Sequence, residues 1–235
     1  MLEETIGRAH PRQRADAARP ITEQPKQKQP KATGLPAQQN RWRRVWATPT
    51  MMHYNRLIAV VAVVNLALLV FGAAQGMWWT GSGIALPTLS NLVLANLALA
   101  ILIRQQYVIN LLFKIATSVP TSWPLAIRRI MGKVYHFGGL HVGGAVVGTI
   151  WFALFAGSLS YHLANRLPGV SIATVGATYA LLAVLIFMIV MARPSVRARF
   201  HDQFEMAHRF GGWAALLLFW AQTLLFVNDQ RGQAA

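Results

Sequence analysis

The 235-residue chain contains no cysteine. That excludes disulfides, iron–sulfur clusters, thiolate metal ligands and a cysteine nucleophile. Any redox role would therefore need a bound group from outside the polypeptide. Acidic residues are nearly as scarce. Asp and Glu together number 7, and beyond residue 23 only Asp202, Glu205 and Asp229 remain. This leaves no carboxylate pair for hydrolysis, no oxygen cage for Mg²⁺ or Ca²⁺ and no acidic proton relay. No serine or threonine stands in a nucleophile setting with an acid and a histidine. No GxGxxG or Walker motif occurs, so no glycine-rich loop is available to cradle a phosphate. No internal repeat is present.

The basic residues dominate by default. With 22 Lys and Arg the formal charge is +15, yet only 12% of residues are charged and 54% are hydrophobic. Soluble domains carry about 25% charged residues. A basic, acid-poor chain of mean hydropathy +0.38 is an integral membrane protein rather than a nucleic-acid binder.

The charge is unevenly distributed. Residues 1–50 are rich in Pro, Gln, Arg and Lys and hold no long apolar run, the composition of a disordered arm. With no signal-peptide core, the arm is expected to be retained. Arg41, Arg43 and Arg44, interleaved with Trp42 and Trp46, suit a headgroup-facing anchor just before a membrane span. Residues 51–228 form the transmembrane domain, and 229–235 a short tail. Five spans are expected: residues 57–79, 88–116, 134–163, 172–192 and 207–227, each near the roughly 20 residues a helix needs to cross. Met77-Trp78-Trp79 closes the first with an aromatic interface signal. Runs this long are helices rather than barrel strands, so the fold class is an all-α polytopic bundle. Eleven of the 22 bases lie at or before Arg56. Six more, Arg128, Arg129, Lys133, Arg193, Arg197 and Arg199, fall in the second and fourth connections. The opposite connections hold one, Arg166. The positive-inside rule then places the N-terminus in the cytoplasm and the chain in the inner (plasma) membrane.

Two kinds of polar residue stand out in the apolar runs. Arg104 sits near the middle of the second expected span, among Gln105, Gln106 and Asn110. A charge at that depth costs at least about 2.5 kcal/mol and calls for a reason. Either the arginine faces an anionic cofactor group or lipid phosphate, or the membrane half of the helix ends near Ile103 and Gln106 onward lies along the inner surface. Histidine is more informative. His136 and His141 open the third span, and His201 and His208 lie at the start of the fifth, on the same side. Two facing histidine-bearing helices are what a b-type haem requires, one axial imidazole from each. The glycines at 139, 143, 144 and 148 make a smooth groove, usable for close helix contact or for a flat macrocycle. Glu205 either orients a histidine ring or favours the positive end of the helix dipole.

Three motifs, LIRQQYVINLLF (residues 102–113), YHFGGLHVGG (135–144) and FHDQFEMAHRFGGW (200–213), resemble the membrane domain of the ferric-reductase/NADPH-oxidase group, and more closely an integral membrane branch in fungi and bacteria. The resemblance spans most of residues 51–228. It implies haem b between the third and fifth helices, with His208 as one iron ligand and His141 or His136 as the other. His136 matches His208 in depth; His141 has the better glycine setting. Arg104 would meet a haem propionate or a lipid phosphate. The chain departs from two-haem members, which carry a second histidine 13 or 14 residues further along both helices: here Ala221 and Gln222 follow His208, Leu154 and Phe155 follow His141, and Thr149 and Ile150 follow His136. A sixth span and a flavin and NAD(P)H domain are also missing from this sequence. The expected role is thus an electron-transfer component, an oxidoreductase part served by a separate cytosolic flavoprotein reductase. The other reading is a non-catalytic membrane scaffold or partner-binding protein without haem.

Overall fold

The computed structural model describes residues 40–46, 48–80 and 83–232. The expectations for residues 1–39 and for the last three residues lie outside this described part. Among the described residues the chain is helical apart from one two-residue hairpin, Trp79–Thr80 (β1) against Gly83–Ile84 (β2). The helices are α1 (Arg41–Trp46), α2 (His53–Ala74), α3 (Leu86–Leu102), α4 (Gln106–Thr117), α5 (Leu125–Met131), α6 (Gly138–Ala164), α7 (Ile172–Ala192), α8 (Pro194–Arg199) and α9 (His201–Arg231). Four helical segments are long and apolar enough to cross a membrane by themselves. The pair α3 and α4, bent by 62°, brings the number to five if it counts as one span.

The bend corrects the expected second span. Residues 88–116 do not form one rod: α3 stops at Leu102, and Arg104 sits in the break rather than in mid-helix. The cause is local. Gln105 adopts an extended backbone, and its side-chain oxygen accepts from the backbone N–H groups of Tyr107 (2.6 Å) and Val108 (3.3 Å). A side-chain acceptor at this position satisfies the first free donors of a new helix, so α4 can start in a new direction. The other breaks have equally local causes. Arg193 precedes Pro194 and is pushed into an extended conformation (ψ 136°), which ends α7. Gly76 takes φ 66° beyond the end of α2.

The core is built around α6. Trp151, Phe152, Phe155, Ala156 and Leu159 are all buried and pack with Leu86, Leu89 and Val93 of α3 and Leu181 and Leu182 of α7. Trp78, expected at the membrane interface, instead folds back into this core. It is 8% exposed, stacks on Trp151 at 5.4 Å and donates its indole N–H to the Leu69 carbonyl at 2.9 Å. Gly72 makes this possible, because a Cβ there would lie 2.6 Å from the indole ring.

The glycines of α6 likewise set helix distances. A Cβ at Gly139 would collide with the Tyr54 carbonyl oxygen of α2, and one at Gly144 would stand 2.7 Å from the Asn96 carbonyl oxygen of α3. Gly143 faces Val61 of α2, and Gly148 faces Leu97 of α3. Of the two uses open to this groove, close helix contact is the one realised.

At the end where α9 finishes, the Asp229 carboxylate accepts from the Ser171 backbone N–H (2.7 Å) and the Thr174 hydroxyl (2.5 Å), clamping α9 onto the start of α7. Gln230 donates to the Gly169 carbonyl at 2.9 Å beside it.

Candidate functional site

The opposite end of the bundle gathers the starts of α2, α6 and α9 and the finish of α3. Four histidines meet there in two pairs. The His53 ring stacks on that of His136 at 5.6 Å, and Tyr135 leans on His136 at 4.2 Å. The His141 and His208 rings are 6.2 Å apart and nearly perpendicular, with Phe204 beside His208 at 5.4 Å. His136 and His141 are not on one helix, since a 3₁₀ segment, Gly132–Phe137, carries His136 before α6 begins. Of the two candidates left open, the structure brings His141 to His208 and sends His136 to His53.

His141 has a definite anchor. Its Nδ1 lies 2.8 Å from the Ala100 carbonyl oxygen. That carbonyl belongs to the last turn of α3, where Arg104 N–H turns to Ile101 and passes Ala100 by. A helix end leaves such carbonyls without intrahelical partners, and the imidazole supplies the missing donor. A carbonyl only accepts, so the neutral ring carries its proton on Nδ1 and leaves the Nε2 lone pair free. His208 is partly buried, and its Nδ1 has no hydrogen-bond partner. The pair therefore offers two imidazole nitrogens for a proton or an electrophile. Among the described residues no group of three or more His, Asp or Glu side chains converges on a common point.

Arg104 is exposed at the α3–α4 break and within electrostatic reach of both His141 and His208. With Ile103, Phe113, Tyr135, Phe137 and Gly138 it lines a small cavity of about 60 Å³. Glu205 does not orient His208. It lies 3.5 Å from His201, and both side chains are more than half exposed, so the contact is a weak surface pair one helical turn long.

The most completely bonded polar cluster was not among the expected sites. Asn65 of α2 and Asn96 of α3 exchange amide hydrogen bonds at 3.0 and 2.8 Å, and Trp151 of α6 donates to the Asn65 side-chain oxygen at 2.8 Å. Each amide also donates to a carbonyl one turn back in its own helix, at Val61 and at Leu92. The available signal was Asn65 alone in the run VVNLALLV, a polar residue expensive at that depth unless paired.

No protein-family model matches the chain, and no solved structure matches it. Two curated proteins of Coprinopsis cinerea are similar to it. Adenylate-forming reductase 03009 is 39% identical over 176 residues, or 75% of this chain. Adenylate-forming reductase 06235 is 37% identical over the same length. The chain spans only 16% of the length of either relative. Wherever it starts, a 176-residue stretch of a 235-residue chain contains residues 60–176, so the likeness includes the whole of α3 to α6. These names correct the expected function. The relatives are named adenylate-forming reductases, and the expected role of a ferric-reductase-like electron-transfer component does not stand.

Proposed function

We propose that this chain is a membrane-embedded module of an adenylate-forming reductase system. The observation that supports this reading is the 39% identity to such a reductase across a stretch that includes α3 to α6. On this reading the chain holds reductase chemistry at one membrane face and does not itself form the adenylate, for which its sequence offers no phosphate-cradling glycine motif. The face is the one carrying Arg128, Arg129, Arg193, Arg197 and Arg199. By the positive-inside rule it is cytoplasmic. Arg104, at the helix break, would meet lipid phosphate there.

The experiment has two arms. The tagged chain is captured from native membranes under mild detergent, and the eluate is assayed for ATP–pyrophosphate exchange dependent on added carboxylic acids. The same assay is run on the chain produced alone. Acid-dependent exchange in the captured material and none from the chain alone is the expected result. No exchange in the captured material, or recovery of the chain in the soluble fraction after alkaline carbonate, overturns the proposal.

A further inference from the structure

A second feature lies far from the histidines and is independent of the proposed system. Between α3, α6 and α9 there is a cavity of about 140 Å³. Its walls are aromatic and aliphatic, formed chiefly by Phe152 and Phe155 of α6, Phe219 of α9 and Val93 of α3. The polar groups on its rim are Ser90, Thr223 and Gln222.

Gln222 is the buried residue of α9 and is only 5% exposed, yet its Nε2 has no hydrogen-bond partner. An amide nitrogen is a donor only. It lies nine residues, roughly 13 Å, from the end of α9 at Arg231. At that depth lipid tails offer no acceptor, and an unpaired donor is costly. Neighbouring residues Trp220 and Leu224 are 61% and 64% exposed, so α9 turns its amide inward and its apolar side chains outward. Lipid contact accounts for the outward apolar side chains, but not for a buried amide left without an acceptor.

We propose that this cavity binds a small lipid-soluble aromatic carbonyl compound, with the ring among the phenylalanines and the carbonyl oxygen accepting from Gln222 Nε2. Size, walls and donor each constrain the ligand. A cavity of about 150 Å³ lined by apolar side chains holds one benzene-sized ring. Phenylalanines favour a ring by offset or edge-on contact. An amide NH2 without a partner calls for an acceptor oxygen on the ligand. Water would meet the donor but not the aromatic walls, and an alkyl chain would meet the walls but not the donor.

The test uses the full chain in lipid nanodiscs and fluorine NMR titration of two probes of similar shape. One is para-fluoroacetophenone, which has the carbonyl; the other is para-fluoroethylbenzene, which lacks it. Empty nanodiscs correct for partition into lipid. The expected result is saturable binding of the ketone about tenfold tighter than of the hydrocarbon, since a site built around a hydrogen bond rejects the analogue lacking it. Gln222→Leu should erase that preference while leaving ring binding. Ser90→Phe should abolish saturable binding of both, and Thr223→Phe does the same from the facing helix should the first variant not fold. Equal affinity for the two probes, no saturation beyond empty nanodiscs, or binding that survives both filling variants overturns the proposal.

Discussion

Helices α6 and α9 share one short pattern, a histidine followed closely by two glycines, and do opposite things with it. Each has a histidine in its first turns and a pair of adjacent glycines beside it, HVGG in one and HRFGG in the other, and they run for 27 and 31 residues. Over its most apolar window the α6 segment is 56% buried, and α9 is 6% buried. Gly139, Gly143, Gly144 and Gly148 of α6 are touched by α2 or α3, whereas Gly211 meets only the flexible Met188 side chain and Gly212 meets nothing within 4 Å. His141, near the start of α6, has a backbone partner; the Nδ1 of His208, its counterpart on α9, has none. Small residues at a helix start are thus contact points only when another helix arrives to use them.

The contrast can be broken experimentally, most forcefully at Gly139. Gly139→Ala puts a methyl group into the Tyr54 carbonyl and should cost about 2–3 kcal/mol by overpacking, read as a loss of thermal stability in detergent. An unchanged melting temperature would mean that α2 does not press on α6 as described. Asn65→Ala strands the Trp151 indole N–H and the Asn96 amide and should cost about 2 kcal/mol in the same assay.

The α9 side should respond more weakly. Asp229→Ala removes the clamp on α7 and should cost about 1–2 kcal/mol, with faster proteolysis near residue 170 as a second readout. His141→Ala should cost about 1 kcal/mol by stranding the Ala100 carbonyl, while His208→Ala costs less, because no hydrogen bond is lost at its Nδ1. Equal losses for the two histidines would show that they act as one unit rather than as an anchored ring and a free one. The smallest effect is at Gly212. Gly212→Ala should stabilise by about 0.5–1 kcal/mol through helix propensity alone, and a loss instead would reveal a partner on that face.

Much of the bundle was readable from residue order. The apolar runs marked the long helices because a helix in lipid must be apolar over nearly its whole length, whatever it packs against. Ile172–Ala192 coincides with the expected span to the residue. The break at Arg104 was one of two open readings, since four polar residues in seven can end a helix or line a buried face, and only the Gln105 cap selects between them. Trp78 misled for a related reason: a tryptophan at a span end is normally an interface anchor, and Gly72, six residues earlier, supplied the notch that drew it inward. At the site, the sequence marked His141 and His208 but could not decide between His141 and His136. Depth favoured one and the glycine setting the other, and only the 3₁₀ segment that carries His136 ahead of α6 separates them.

By itself the sequence determined what lipid imposes on any segment: helices for the long apolar runs, the approximate ends of those spans, and a surplus of bases in alternate connections. These follow from composition and local hydrogen bonding, which act on each segment separately. The tertiary structure decided which small residues became contacts, which histidines met, which asparagine found a partner and which glutamine did not. Each of these depends on what a second helix brings to within about 4 Å, and no property of either helix taken alone contains that information.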